Sequence, residues 1–115
     1  MATTPTPPNV MVEIFPKPGK ATRVEELIAK AAEEVRQHEP WISFYRYYKA
    51  KHVGPSSEAE DEEYIIVFRL DDMSKIHARR EMPHHQEIGR ILRDEDLLRM
   101  PLKYTELKDM GFWKR

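Results

Sequence analysis

Two short stretches hold the side chains of this chain best suited to chemistry. Glu39-Pro40-Trp41-Ile42-Ser43-Phe44-Tyr45 joins a carboxylate to a run of aromatics. His77-Ala78-Arg79-Arg80-Glu81-Met82-Pro83-His84-His85 carries three of the five histidines. Histidine suits a general base because its unperturbed pKa lies near neutrality. Aromatic rings with phenolic hydroxyls suit a pocket for a flat ligand, the faces packing and the hydroxyls orienting. No nucleotide or phosphate motif competes with these stretches. There is no cysteine, which excludes disulfides, thiolate catalysis and Cys-ligated metals.

His77 is the leading catalytic candidate. It adjoins Ile76, so it sits at the edge of the face that a helix would bury. The bland alternative is a surface or structurally hydrogen-bonded histidine. His84 and His85 follow a proline at a helix break and are candidates for binding substrate, against a solvated or dimer-edge role. Tyr45 and Tyr47 share a strand face with Trp41 and are the aromatics most suited to a pocket. Tyr45 is the candidate catalytic partner. Phe44, Tyr48 and Tyr64 read more simply as strand-forming, packing residues. Arg46 and Arg69 are charges inside otherwise apolar strands, where an unpaired cation is costly. Each either binds a substrate carboxylate or phenolate, or pairs with Glu13 or a glutamate across a dimer. His77, His84 and His85 with Glu81 or Glu87 have the donor types of a divalent-metal site. Adjacent histidines diverge in direction, however, and no helical metalloenzyme spacing occurs, so no metal is expected.

The elements that must position these groups follow from periodicity. Val10 to Phe15 reads as a strand, ended by Pro16-Lys17-Pro18-Gly19. Thr22 and Glu25 have the spacing of a capping box. Val24, Leu27, Ile28, Ala31 and Val35 then mark an amphipathic helix that Pro40 stops near His38. Trp41 to His52 reads as a second strand, with Trp41, Ser43, Tyr45 and Tyr47 on one face and Ile42, Phe44, Arg46 and Tyr48 on the other. Residues 53 to 62 form an acidic, turn-rich excursion. Glu63 to Leu70 is a third strand. Asp71, Asp72 or Ser74 caps a second helix that Pro83 breaks or kinks, and Ile88, Ile91 and Leu92 resume helical spacing to the low 90s. Leu102 to Lys108 reads as the last strand.

The order β-α-β-β-α-β is that of an α+β, ferredoxin-like domain over residues 10–108, with a flexible arm at 1–9 and a tail at 109–115. Two helices cover only one face of a four-stranded sheet. The other face is apolar enough to need a partner, so a homodimer packed sheet to sheet is expected. In the tail, Phe112 and Trp113 read as groups that clasp the partner or close a pocket mouth. The 115 residues, 19 basic and 20 acidic, sum to a formal charge of −1, which favours neither nucleic acid nor an anionic membrane. No stretch approaches the ~20 apolar residues of a membrane span. The start of the chain lacks the layout of a secretory signal, so the cytosol is the default location.

Pro16-Lys17-Pro18-Gly19-Lys20, Glu39-Pro40 followed by Tyr45, and His77 followed by Pro83-His84 carry a resemblance. Together they resemble the antibiotic biosynthesis monooxygenase family of dimeric α+β barrels, most closely its small fungal members. Trp41 departs from the family's Glu-Pro-Gly signature and is expected to shape a pocket rim. The Asn–Trp–His set of the haem-degrading branch is not matched, since Asn9 lies upstream of the first strand. The resemblance implies a cofactor-independent monooxygenase with molecular oxygen as co-substrate. Its substrate would be a small hydrophobic secondary metabolite, aromatic, quinol- or anthrone-like, or oxylipin-like. Two alternatives stand beside it: a polyketide cyclase, dehydratase or decarboxylase on the same fold, and a non-catalytic ligand-binding dimeric domain.

Overall fold

The computed structural model describes residues 6–51 and 62–115. Most of the acidic excursion, His52 and the first residues of the arm lie outside the described residues. Strands β1 (Val10–Ile14), β2 (Ile42–Ala50), β3 (Glu63–Leu70) and β4 (Lys103–Glu106) form one sheet in the order β2-β3-β1-β4, with every neighbouring pair antiparallel. Helices α1 (Ala21–His38), α2 (Ile76–Arg80) and α3 (Pro83–Asp94) complete the ferredoxin-like pattern. Pro83 takes the first turn of α3, where its missing N–H costs nothing. Strict alternation sends Val10, Val12 and Ile14 of β1, with Tyr64, Ile66, Phe68 and Leu70 of β3, towards the helices. Val24, Leu27 and Ile28 of α1 meet them and, with Leu97, form the core. Asn9 fastens one end of the sheet: its Nδ2 donates to the Leu70 carbonyl at 2.9 Å, and its Oδ1 accepts from the Leu70 amide at 2.8 Å.

Two local expectations are corrected. The capping box does not form, because α1 starts sooner. Gly19 adopts φ 81°, a left-handed turn that glycine makes without strain. Lys20 N–H closes that turn on the Lys17 carbonyl at 3.0 Å, which makes Lys20 the helix cap. Thr22 is therefore already inside the first turn. Glu25 instead accepts a hydrogen bond from the Tyr64 hydroxyl at 2.7 Å.

The second correction concerns β2. The pairing jumps from Ile42 opposite Leu70 to Phe44 opposite Arg69, leaving a bulge at Ser43. One extra residue reverses the parity of a strand. Ile42 thus shares the helix side with Tyr45 and Tyr47, which lie opposite Phe68 and Ile66. Ser43 turns its hydroxyl to Asp71 Oδ1 at 2.9 Å.

The opposite face of the sheet carries Met11, Phe44, Tyr48, Ile65 and Val67, half-buried or exposed, with no described element packed on it. Arg46 and Arg69 lie on this face too. Arg46 sits over the Tyr48 ring at 5.3 Å, and Arg69 pairs with Asp71 at 3.6 Å. Glu13, considered as a partner for either, pairs with Lys103 at 3.9 Å.

Candidate active site

A cavity of about 260 Å³ lies between the sheet and helices α1 and α3. Its walls are Val12 and Ile14 of β1, Leu27 and Ile28 of α1, Ile66 and Phe68 of β3, and Ile88 and Leu92 of α3. The cavity explains why amphipathic α3 has no fully buried residue: its apolar side faces a space. Gly89 lines the same space, and a Cβ built there would meet nothing within 4 Å. A glycine inside a helix costs roughly 0.5–1 kcal/mol relative to alanine. No neighbour demands it here, so what it provides is room.

The polar lining consists of Tyr45, Arg79, Arg80, His85 and Tyr104, and no carboxylate lines the cavity among the described residues. The Tyr45 ring stacks on Phe68 with centroids 6.0 Å apart. Burial raises the Tyr45 pKa well above the usual phenol value, so the hydroxyl keeps its proton.

Behind the cavity sits a buried charge cluster. Glu39 directly follows the last turn of α1, where its N–H is bonded to the Val35 carbonyl at 2.9 Å. Pro40 prevents the helix from continuing, and the Glu39 side chain turns inward with no exposed surface. Arg79 Nε donates to Oε1, while His84 Nε2 and His85 Nε2 lie 2.8 and 2.7 Å from Oε2. Arg79 also covers the Phe68 ring at 4.4 Å, and His84 stacks on His38 at 5.6 Å. Burial alone would push the Glu39 carboxyl up. Hydrogen bonds from His85, Arg79 and His84, with the Arg79 charge, outweigh it and hold the pKa at about 2. An ionised carboxylate only accepts, so both imidazoles donate through Nε2.

The sequence candidates are now placed. Tyr45 and His85 come together at the cavity. His84 belongs to the cluster behind it. His77 is exposed and does not line the cavity, although its neighbour Ile76 does. Tyr47 meets Tyr45 edge-on at 6.2 Å but stays half exposed. Trp41 packs on the core away from the cavity, and its buried Nε1 has no partner among the described residues. Arg46 and Arg69 lie on the far side of the sheet. Arg79, Arg80, Gly89 and Tyr104 were not foreseen, and Glu39 entered only as part of a motif. Arg79 left a trace, since it falls three residues after Ile76 on the stripe a helix buries. Tyr104 left none.

Glu39, His84 and His85 offer donor atoms within 4.8 Å of one another, a set chemically able to hold a divalent cation. Both nitrogens nevertheless contact one carboxylate oxygen directly, and a guanidinium occupies the other. That is the arrangement of protons shared between groups, with a fixed positive charge opposing a second cation. The set with Glu81 or Glu87 is not assembled, Glu87 being paired with Lys30 at 3.4 Å.

Among solved structures, the fold is similar to Rv0793 from Mycobacterium tuberculosis, with a TM-score of 0.70 and 18% identity over 95% of this chain and 100% of that one. PA3566 from Pseudomonas aeruginosa gives 0.69 and 19% over 96% and 100%. SnoaB, a cofactor-independent oxygenase from Streptomyces nogalater, gives 0.65 and 12% over 92% and 96%. At such identities the likeness is one of fold. No curated protein matches the chain. The sequence profile described as antibiotic biosynthesis monooxygenase matches residues 9–90, which takes in β1 through most of α3 and every member of the Glu39 cluster. The chain belongs to the antibiotic biosynthesis monooxygenase family.

Proposed function

We propose that this protein is a cofactor-independent monooxygenase acting on a small, hydrophobic, oxidisable aromatic molecule. The observation that carries this reading is a largely apolar cavity whose lining includes both an imidazole hydrogen-bonded to a buried carboxylate and a phenol that burial keeps protonated. In this reading the base is not the exposed His77 but His85, which lines the cavity. Its Nδ1 takes a proton from an acidic phenol or benzylic C–H, and Glu39 stabilises the imidazolium that forms. The substrate anion passes an electron to O₂, and the resulting radical and superoxide combine to a peroxide. Loss of water, which carries off the second benzylic proton, leaves a carbonyl. One oxygen atom enters the product, the other leaves as water, and all the electrons come from the substrate. Tyr45 donates to the developing oxyanion, while the apolar walls keep out competing water.

The working form in this proposal is a homodimer. Its support is the uncovered face of Met11, Phe44, Tyr48, Ile65 and Val67, together with the exposed Met110, Phe112 and Trp113 of the tail. The same His85 and Tyr45 would serve a cyclase or decarboxylase, because neither role by itself requires oxygen. The deciding experiment is oxygen uptake by metal-free protein with anthrones, hydroquinones and unsaturated fatty-acid derivatives, with mass spectrometry of products. Uptake with one added oxygen supports the oxygenase. Product without uptake refutes it in favour of cyclase or decarboxylase chemistry.

A further inference from the structure

The charges around the cavity are unbalanced in one direction. Among the described residues, two arginines and no carboxylate line it. Arg79 is neutralised by the buried Glu39. Arg80, the next residue on α2, is not. It is exposed, lies over the Tyr104 ring at 5.8 Å, and has no carboxylate partner among the described residues. Tyr104 is 54% exposed, which places the pair at the cavity mouth. The cavity mouth of a chain with formal charge −1 thus presents a cation with no carboxylate partner among the described residues.

A guanidinium presents a planar fork that matches a carboxylate with two parallel hydrogen bonds. At a mouth both groups stay partly solvated, so the desolvation cost is small. The 260 Å³ cavity falls just below the ~300–1,000 Å³ of drug-sized sites, which suits a body of two or three fused rings. Gly89, exposed on α3 and lining the same space, leaves a flat body room to enter.

We infer that the cavity takes a planar aromatic carboxylic acid, its rings against the apolar walls and its carboxylate on Arg80. This names the substrate class of the proposed oxygenase and rests on that cavity being its binding site. Titration calorimetry with 2-naphthoate and its neutral isostere 2-naphthylmethanol tests it without turnover. The wild type should bind the acid about tenfold more tightly, the size of one charge-assisted hydrogen bond. Arg80→Gln should abolish the preference and leave the alcohol's affinity as it was, while Arg80→Lys should restore part of it. Gly89→Leu should weaken both compounds, placing them in the cavity. Equal binding, a preference that survives Arg80→Gln, binding untouched by Gly89→Leu, or no binding of either compound would each overturn the inference. A protein that shows the expected preference yet consumes no oxygen would sustain it and refute the oxygenase reading alone.

Discussion

Glu39 and His85 are 46 residues apart in the chain and 2.7 Å apart in the fold, carboxylate Oε2 to imidazole Nε2. The contact joins the end of α1 to the first turn of α3, the two helices that roof the cavity. It fixes Nε2 of His85 as a donor. One buried carboxylate therefore serves both the fold, through Arg79, and the proposed chemistry, through His85.

Stability should fall with acid because of Glu39. Folding holds its pKa at about 2, against an ordinary carboxyl value of 4.5. The contribution is complete above the unfolded value and disappears as the pH drops from there towards 2. It amounts to roughly 3 kcal/mol at neutral pH, from about 1.4 kcal/mol per pKa unit. Urea unfolding should show the wild type losing far more stability between pH 6 and pH 3 than Glu39→Gln does. Glu33 also has a depressed pKa of about 2, but it is exposed and common to both proteins. Equal losses would show that Glu39 is not ionised in the fold.

The two histidine candidates should separate in turnover. His85→Ala should lower kcat by about 10²–10⁴-fold, the usual contribution of a positioned base. His77→Ala, on the exposed side of α2, should stay within about twofold of wild type. Rates on any substrate found by oxygen uptake decide it, and the reverse ranking would return the role to His77.

Gly89→Ala should stabilise the fold by roughly 0.5–1 kcal/mol, since its Cβ meets nothing within 4 Å. A raised melting temperature is the expected result. A lowered one would mean that the backbone or a neighbour at Gly89 needs the missing side chain.

The uncovered sheet face should be the dimer contact. Ile65→Lys, central on β3, should give a folded monomer in sedimentation while the wild type sediments as a dimer at micromolar concentration. A stable wild-type dimer needs ~1,200–2,000 Å² of buried surface, and the sheet is the apolar area suited to supply it. A dimer that survives Ile65→Lys would place the contact elsewhere.

Chelation should leave the protein unchanged. With Arg79 on one oxygen of Glu39 and both imidazoles on the other, each carboxylate oxygen and both Nε2 atoms already have partners. Purified protein should carry no stoichiometric metal, and EDTA should not shift its melting temperature. A chelator-sensitive melt would assign the Glu39, His84 and His85 set to a cation.

What the sequence determined by itself was local. The stripe Val24, Leu27, Ile28 and Val35, the breaks at Pro40 and Pro83 and the alternation of β3 depend on neighbours a few residues away, and each stands in the structure. Their order was enough to name the ferredoxin-like fold, and three short motifs were enough to suggest the family. The site was different. One inserted residue at Ser43 moves Ile42 to the side of Tyr45 and Tyr47, and no periodicity announces a bulge. Residue type and helical position favoured His77, yet in the fold His77 is exposed and His85 lines the cavity. The pairing of Glu39 with Arg79, His84 and His85, and the isolation of Arg80, exist only once α1, α2 and α3 are packed on one sheet. Such long-range neighbours are set by the packing of whole elements, which no local pattern of residue types encodes.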